Sequence, residues 1–258
     1  MTAVLRAEWT KLRTVGGPGW LLLAAIALTA AVGAAAANAT SCPGGGCQVD
    51  PAKVSLTGIY LGQAIVAIVA VTAVSSEYST GMIRLTLTAM PRRWLVLAAK
   101  AAVVGTATLV TGAVAVLASV LAGRLLLDGH GIDAAHGYQA LSPANGSVLR
   151  AAAGSVLYLT LVALLSLGIA AAVRDSAVAI GVVLGLLYLF PIVGAVMGGS
   201  QLGRLVQQIG PMTAGLAIQA TTGLGHLPIS PWAGLGVLAA WSAAALLAGG
   251  LLLHRRDA

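Results

Sequence analysis

Residues 75–94, SSEYSTGMIRLTLTAMPRRW, place one Glu, three Arg and several hydroxyl side chains between two long apolar runs. A plain polar loop has no need of its apolar residues, and a membrane span does not readily hold its charges. At helical spacing, Met82 and Leu85 share one face, while Arg84 and Arg92 lie on another row. A short helix with an apolar edge and nearby cations suits a groove in a partner protein. The alternative is a helix on the membrane surface that only joins the flanking spans.

The composition identifies the solvent in which this segment is held. The chain has 258 residues, of which 59% are hydrophobic and 8% are charged, whereas soluble domains average about 25% charged residues. Most of the surface must therefore face lipid. The apolar runs lack the alternation of barrel strands, so we expect one all-α integral membrane domain over residues 1–258. Its six transmembrane helices are predicted at about 18–37, 56–76, 94–123, 149–173, 177–199 and 232–253.

The basic residues predict the orientation of these spans. With the N-terminus inside, ten of the 14 Lys and Arg residues fall in inner segments. The positive-inside rule then places both termini in the cytoplasm of a multi-pass protein of the inner, or cytoplasmic, membrane. The net charge of +7 is compatible with contacts to anionic lipid headgroups. No basic cluster accompanies an aromatic platform, so nucleic-acid binding is not expected.

Two regions outside the spans carry helical spacing. In the N-terminal LRAEWTKLR, Leu5, Trp9 and Leu12 share one face, which predicts an amphipathic helix in the inner interface. An ordinary basic membrane flank is the alternative reading. The long loop before the last span predicts one or two short outer helices, ended by Gly210-Pro211, from its apolar residues Leu202, Leu205, Val206 and Ile209.

The two cysteines lie in the first predicted outer loop. Cys42 and Cys47 flank a Pro-Gly-Gly-Gly spacer on the oxidising side of the membrane, which favours a disulfide. Free thiols or a metal pair are the alternatives. A later loop holds four potential metal ligands among flexible glycines, but we interpret them as solvated polar residues and predict no metal site: Asp128, His130, Asp133 and His136.

Several kinds of chemistry are missing from the sequence. No lysine follows a glycine, so the chain lacks the phosphate-binding loop of ATPases. It also lacks the G-x-S-x-G and H-E-x-x-H motifs, and we expect neither an enzyme nor a cofactor in this chain. The span centres hold no ionisable residue, Lys100 is expected to reach the inner surface by snorkelling, and only Pro191 interrupts a span. An ion-coupled secondary transporter is therefore disfavoured.

The segment EYSTGMIR, from Glu77 to Arg84, resembles the coupling segment of type-2 ABC exporter permeases of actinobacterial style. The following Pro91-Arg92-Arg93 and Lys100 fit the same pattern. So do the opening EWTKLRT, the basic tail LLLHRRDA and the layout of six spans. The resemblance covers essentially the whole chain. One departure is Met82, where the family commonly carries Thr.

The resemblance implies an ATP-driven mechanism. Two permease subunits, expected as a homodimer, would each dock a coupling helix at about 77–91 onto one of two ATPase subunits, which bind ATP and Mg. Glu77 and Arg84 would anchor this helix. The implied cargo is hydrophobic or amphipathic: a drug, an antibiotic, a lipid or a peptide. A non-transporting scaffold or regulator is the alternative. The implied partner-binding residues are Glu77, Tyr78, Gly81, Met82, Arg84, Leu85 and Arg92.

Small residues predict where the two subunits would pair. The fifth span carries Gly181-x-x-x-Gly185 and Gly194-x-x-x-Gly198. Glycines at this spacing let helices approach closely in lipid, where packing drives association. The same residues are equally suited to pack helices within one subunit.

Overall fold

The computed structural model describes residues 2–14, 16–42, 47, 49–82, 93–130, 132, 138–142 and 144–255. Within these residues the chain is helical and contains no strand. The described residues form ten α-helices: α1 (Thr2–Thr14), α2 (Gly16–Ala39), α3 (Pro51–Ser55), α4 (Ile59–Ser79), α5 (Arg93–Asp128), α6 (Gly146–Val173), α7 (Ser176–Met197), α8 (Gln201–Ile209), α9 (Pro211–Gly215) and α10 (Pro231–Arg255). Short 3₁₀ turns lie at Leu216–Gln219 and Leu224–His226.

Six of these helices, α2, α4, α5, α6, α7 and α10, are long and apolar enough to cross a membrane. The predicted all-α membrane fold is therefore confirmed. The largest difference in bounds is α5, which continues to Asp128 and has 36 residues. At 1.5 Å per residue it is about 54 Å long, well beyond the roughly 30 Å of a hydrocarbon core. Its surplus turns must therefore project from the core or be taken up by tilt.

Helix α6 is the centre of the bundle and packs against α4, α5, α7 and α10. Its closest neighbour is α10, because glycines remove the side chains between the two backbones. A Cβ added at Gly168 would lie 2.5 Å from the backbone of Ala245 and Leu246, and one at Gly249 would lie 2.5 Å from the Gly168 carbonyl oxygen. Close backbone approach of this kind provides van der Waals packing in lipid.

Both ends of the chain lie at one end of the bundle, which we call the termini end. There, α1 packs against α2 and α5, and Arg93 Nη1 at the start of α5 donates to the Leu253 carbonyl near the end of α10, at 2.7 Å. The opposite end, the loop end, carries the connections around residues 40–58, 129–145 and 198–230. Because successive spans run in opposite directions, an even number of spans brings the start of the first and the end of the last to the same end of the bundle.

At the loop end, the short helix predicted before Gly210-Pro211 is present as α8, whereas α9 begins at Pro211 and was not predicted. Ser200 caps α8 by accepting from the Gly203 N–H at 3.0 Å. After Gly210 the chain turns into the bundle, and residues 211–220 are buried except for the half-buried Thr213. Asp50 secures the return, since its carboxylate accepts from Thr221 N and Thr221 Oγ1, both at 2.6 Å. The segment therefore plugs the loop end instead of lying across it.

The two cysteines, at the loop end, are joined as a Cys42–Cys47 disulfide with a Cα–Cα distance of 6.2 Å. Tyr138 bridges the loop, because its hydroxyl donates to Cys42 Sγ at 3.2 Å and accepts from Cys47 N at 3.1 Å. Among the described residues, no group of three potential ligands could hold a metal. His130 contacts the carbonyl oxygen of Leu126 through Nδ1 at 2.7 Å. Asp128 ends α5, whereas Asp133 and His136 lie outside the described residues.

Candidate functional site

A group of four charged side chains, the ion quartet, lies at the termini end and joins three helices. It consists of Glu8 and Lys11 from α1, Glu77 from the last turns of α4, and Lys100 from the third turn of α5. Glu8 and Lys11 are three residues apart, so they lie on the same face of α1. The whole of α1 is thereby attached to α4 and α5 through its charged face.

The contacts within the quartet are short. Lys11 Nζ lies 2.9 Å from Glu8 Oε1 and 2.7 Å from Glu77 Oε1. Lys100 Nζ lies 2.8 Å from Glu8 Oε2 and 2.8 Å from Glu77 Oε1. Lys100 also donates to the Ala73 carbonyl at 3.3 Å. Each lysine therefore bridges the same two carboxylates, and the four formal charges cancel.

Burial makes this arrangement demanding. The side chains of Glu8, Glu77 and Lys100 are at most 9% exposed, while that of Lys11 is 37% exposed. Taking charges out of water costs several kcal/mol per ion, which their mutual attraction offsets only with good geometry. Each member therefore depends on the other three, and loss of one leaves a charge without compensation.

Glu8 and Lys11 both lie on α1, outside the membrane-spanning helices, and the pKa of Lys11 is shifted by its surroundings. Burial lowers the pKa of its ammonium, but hydrogen bonds to Glu77 and Glu8, together with their negative charges, outweigh that effect. The net result is a pKa raised above the ordinary 10.5. Lys11 is therefore positively charged at neutral pH and keeps its ion pairs with Glu8 and Glu77.

The hydrogen bonding of the quartet is incomplete. A lysine ammonium has three donors. Those of Lys100 are used by Glu8, Glu77 and Ala73, whereas Lys11 uses two among the described residues. Glu77 Oε2 is buried and has no hydrogen-bond partner in the part of the chain that the structure describes. The quartet thus leaves one donor and one acceptor unused.

A cavity of about 260 Å³ opens beside these two groups. Its wall includes Glu77 and Lys11, and most of the remaining wall is apolar, with side chains such as Leu21 of α2 and Val103 and Val104 of α5. Small-molecule sites in proteins are typically mostly apolar clefts with a few polar groups that set orientation. The cavity has this character, and its volume lies just below the usual size range.

The structure changes the interpretation of Glu77 and Tyr78. The sequence predicted them as the first residues of a separate partner-facing helix, but both belong to α4, which continues to Ser79. Glu77 is 2% exposed, so it faces the ion quartet and is not available on the surface. Tyr78 is half-buried, and the Arg174 guanidinium lies 5.4 Å from its ring centroid. This contact brings the end of α4 together with the connection between α6 and α7.

The remaining predicted partner-binding residues fall into two groups. Gly81 is exposed with φ of 70°, a left-handed conformation that favours glycine and turns the chain after α4. Met82 is 44% exposed and lines the cavity. Arg84, Leu85 and Arg92 lie outside the described residues.

Sequence reasoning missed the roles of Glu8, Lys11 and Lys100. The expectation that Lys100 snorkels to the surface is wrong, because its side chain is 5% exposed and bonded to two carboxylates. A usable signal was present. A lysine within an apolar helix requires a partner, and Glu8 with Glu77 are two of only seven acidic residues in the chain.

No protein-family model matches this chain, and a search of curated proteins found no significant match. The fold and the site therefore define its class by themselves. It is an all-α membrane protein with six membrane-length helices, an N-terminal helix attached by a buried ion quartet, and a cavity beside that quartet.

Proposed function

We propose that this chain is the permease subunit of a type-2 ABC exporter, in which a separate subunit hydrolyses ATP. The observation that carries the proposal is the position of the ion quartet. Glu77 lies near the end of α4 and Lys100 near the start of α5, so they flank residues 83–92. A force applied to that segment by a partner would pass through the two side chains to α1 and to both spans.

The sequence supports the same division of labour. The chain lacks a phosphate-binding loop, while its EYSTGMIR segment resembles the coupling segment of these permeases. In the proposed assembly, two permease subunits pair in the cytoplasmic membrane with both termini inside, and two ATPase subunits dock on residues 80–92. ATP-driven closure of the ATPases then switches the paired spans between inward and outward openings for a hydrophobic or amphipathic cargo.

The test first asks whether a neighbouring reading frame encodes an ATPase with a phosphate-binding loop, and then measures co-purification of that ATPase with the Arg84→Ala and Leu85→Asp variants. An interface hot spot contributes about 2 kcal/mol or more, which is over tenfold in affinity at about 1.4 kcal/mol per decade. We expect both variants to lose the ATPase, or to retain it without cargo-stimulated hydrolysis. Arg124→Ala is the matched control, because Arg124 is an exposed arginine of α5 at the loop end.

Retention of the ATPase and full transport by both variants would contradict the proposal. Residues 83–92 would then only join the flanking spans on the membrane surface. Failure to find any ATPase partner would favour a non-transporting scaffold or regulator.

A further inference from the structure

We infer that the cavity beside the ion quartet binds an uncharged amphiphile, with a hydroxyl or amide head against Lys11 and Glu77 and a short apolar body against α2 and α5. This inference concerns binding within one subunit and does not depend on ATP-driven transport. It rests on the unused donor and acceptor of the quartet and on the apolar wall that adjoins them.

The polar requirement follows from the hydrogen-bond count. Lys11 Nζ retains one donor beyond its bonds to Glu8 and Glu77, and its side chain is 37% exposed. Within the described residues, Glu77 Oε2 is a buried acceptor without a partner on a residue that lines the cavity. Because Lys11 and Lys100 hold the other oxygen, Oε1, Oε2 is the oxygen of Glu77 that remains for a donor in the cavity. A hydroxyl or amide accepts from Lys11 and donates to Glu77 at once.

The charge of the quartet selects an uncharged head. Two lysines and two glutamates already cancel, so an added ammonium or carboxylate would find no net counter-charge. It would therefore bear the cost of leaving water without compensation. A neutral head avoids this cost and completes the hydrogen bonding, whose lack is costly for a buried acceptor.

The size of the ligand follows from the wall. About 260 Å³ lies just below the usual range of about 300–1,000 Å³ for small-molecule sites, so the cavity takes a short single chain. Its apolar contacts come from Leu21 of α2 and from Val103 and Val104 of α5. A medium-chain alcohol, amide or monoacyl molecule has the required shape.

The experiment uses the purified full chain in phosphatidylcholine nanodiscs and octanol carrying a diazirine at the chain end. Matched probes with a methyl ether, amine or carboxylate head keep the same chain. Mass spectrometry gives the ratio of adducts at the cavity wall to adducts at Leu125 and Val196, which are 78% and 83% exposed. We expect this ratio to be about tenfold higher for the alcohol than for the ether, which cannot donate to Glu77, and higher than for either charged probe.

Two variants separate the cavity from general partitioning into lipid. Leu21→Trp fills the cavity and should remove its adducts, while Leu23→Trp, on the 56% exposed side of the same helix, should not. Glu77→Gln presents an amide in place of the acceptor, so the alcohol should lose its advantage over the ether. Should Glu77→Gln fail to fold, the probe series and the Leu21→Trp pair still decide the matter.

Equal ratios for all four heads, or cavity adducts unchanged in Leu21→Trp, would overturn the inference. The source of a hydroxyl head is resolved by competition. If a monoacylglycerol in the nanodisc, which has an uncharged hydroxyl head and one chain, displaces the alcohol probe, the ligand is a lipid. If unlabelled octanol displaces it and the monoacylglycerol does not, the ligand is a free amphiphile.

Discussion

Two buried polar groups join the helices of this protein, one near each end, and they differ in charge. The ion quartet at the termini end is fully charged. Toward the loop end, Gln63 Oε1 accepts from the Tyr158 hydroxyl, and Gln63 Nε2 donates to Met212 Sδ at 3.2 Å. Nearby, Gln219 Nε2 donates to Ser155 Oγ at 3.3 Å. All four polar side chains of this neutral cluster are at most 1% exposed.

The two groups also differ in completeness. No polar side-chain atom of the neutral cluster is buried without a partner in the described part of the chain, whereas the quartet leaves Glu77 Oε2 unpartnered. Neutral groups cost less to bury than charges, so the neutral cluster is the cheaper way to fix the segment that plugs the loop end. The ion quartet therefore carries the larger cost of burial, and its hydrogen bonding is the less complete of the two.

The largest predicted effect comes from removing one charge of the quartet. Lys100→Met keeps the length of the side chain but leaves two buried carboxylates with one cation. Breaking a buried ion pair in this way typically costs about 3–5 kcal/mol. We expect a loss of that size in the free energy of unfolding, measured by denaturant titration in detergent micelles.

Lys53→Met is the matched control for Lys100→Met. Lys53 is exposed at the loop end, so its substitution should change stability little. Equal effects of the two substitutions would show that the quartet contributes no more than a surface charge, and the contrast between the two ends would then fail.

Tyr158→Phe tests the neutral cluster. The substitution removes one hydroxyl and leaves Gln63 Oε1 buried without its donor. An unsatisfied buried acceptor costs about 1–3 kcal/mol, so we expect a loss of about 2 kcal/mol in the same unfolding measurement, smaller than that of Lys100→Met. Tyr60→Phe is the control. Among the described residues, the hydrogen bonds of Tyr60 to neighbouring side chains use its backbone carbonyl and not its hydroxyl. If Tyr158→Phe proves the more damaging, charge does not distinguish the two groups.

A smaller and local effect is expected at the surface of the loop end. Asp50 caps α3 by accepting from Lys53 N at 3.2 Å, and it also accepts from Thr221. Removal of an N-cap typically costs about 1 kcal/mol, and water can replace the other bonds of this half-buried residue. Asp50→Ala should therefore lower global stability slightly but increase amide hydrogen exchange at residues 220–223.

Asp128→Ala serves as the control for Asp50→Ala, because Asp128 is exposed at the end of α5. Unchanged exchange at residues 220–223 in Asp50→Ala would mean that burial of residues 211–220, and not the Asp50 carboxylate, holds the plug in place.

Local patterns in the sequence were sufficient for the helices but not for the polar joints. Apolar runs of about 20 residues locate the spans, and the spacing of Leu202, Leu205 and Ile209 locates α8, because each signal lies within one helix. Glu8 and Lys100 are 92 positions apart, and Tyr158 and Gln63 are 95 apart. Their pairing depends on how helices pack in three dimensions, which no local spacing specifies.

The dependence on three-dimensional packing also explains why Glu77 was predicted to lie on the surface. Its charge after an apolar run suggested a surface role, since a single span has no means to satisfy a carboxylate. The cations that do so belong to α1 and α5. The docking helix was predicted at about 77–91 with Glu77 as its first residue, and a local sequence pattern does not distinguish an internal contact from an external one.

The smallest predicted effect is alkaline and belongs to Lys11. Its pKa is raised in the folded protein, because hydrogen bonds to Glu77 and Glu8 outweigh the opposing effect of burial. A raised pKa stabilises the fold while pH is below the value in the unfolded chain, and this contribution is lost as pH rises through the folded value. The stabilisation by Lys11 should thus be fully present and independent of pH around neutrality, and it should be lost as pH rises above the ordinary 10.5. Solvent screens this partly exposed side chain, so the fall should be slight. Unfolding midpoints of wild type and Lys11→Met, measured over this alkaline range, separate the contribution of Lys11 from that of tyrosine titration, which both proteins share. A parallel pH dependence in the two proteins would show that the ion pairs of Lys11 do not stabilise the fold.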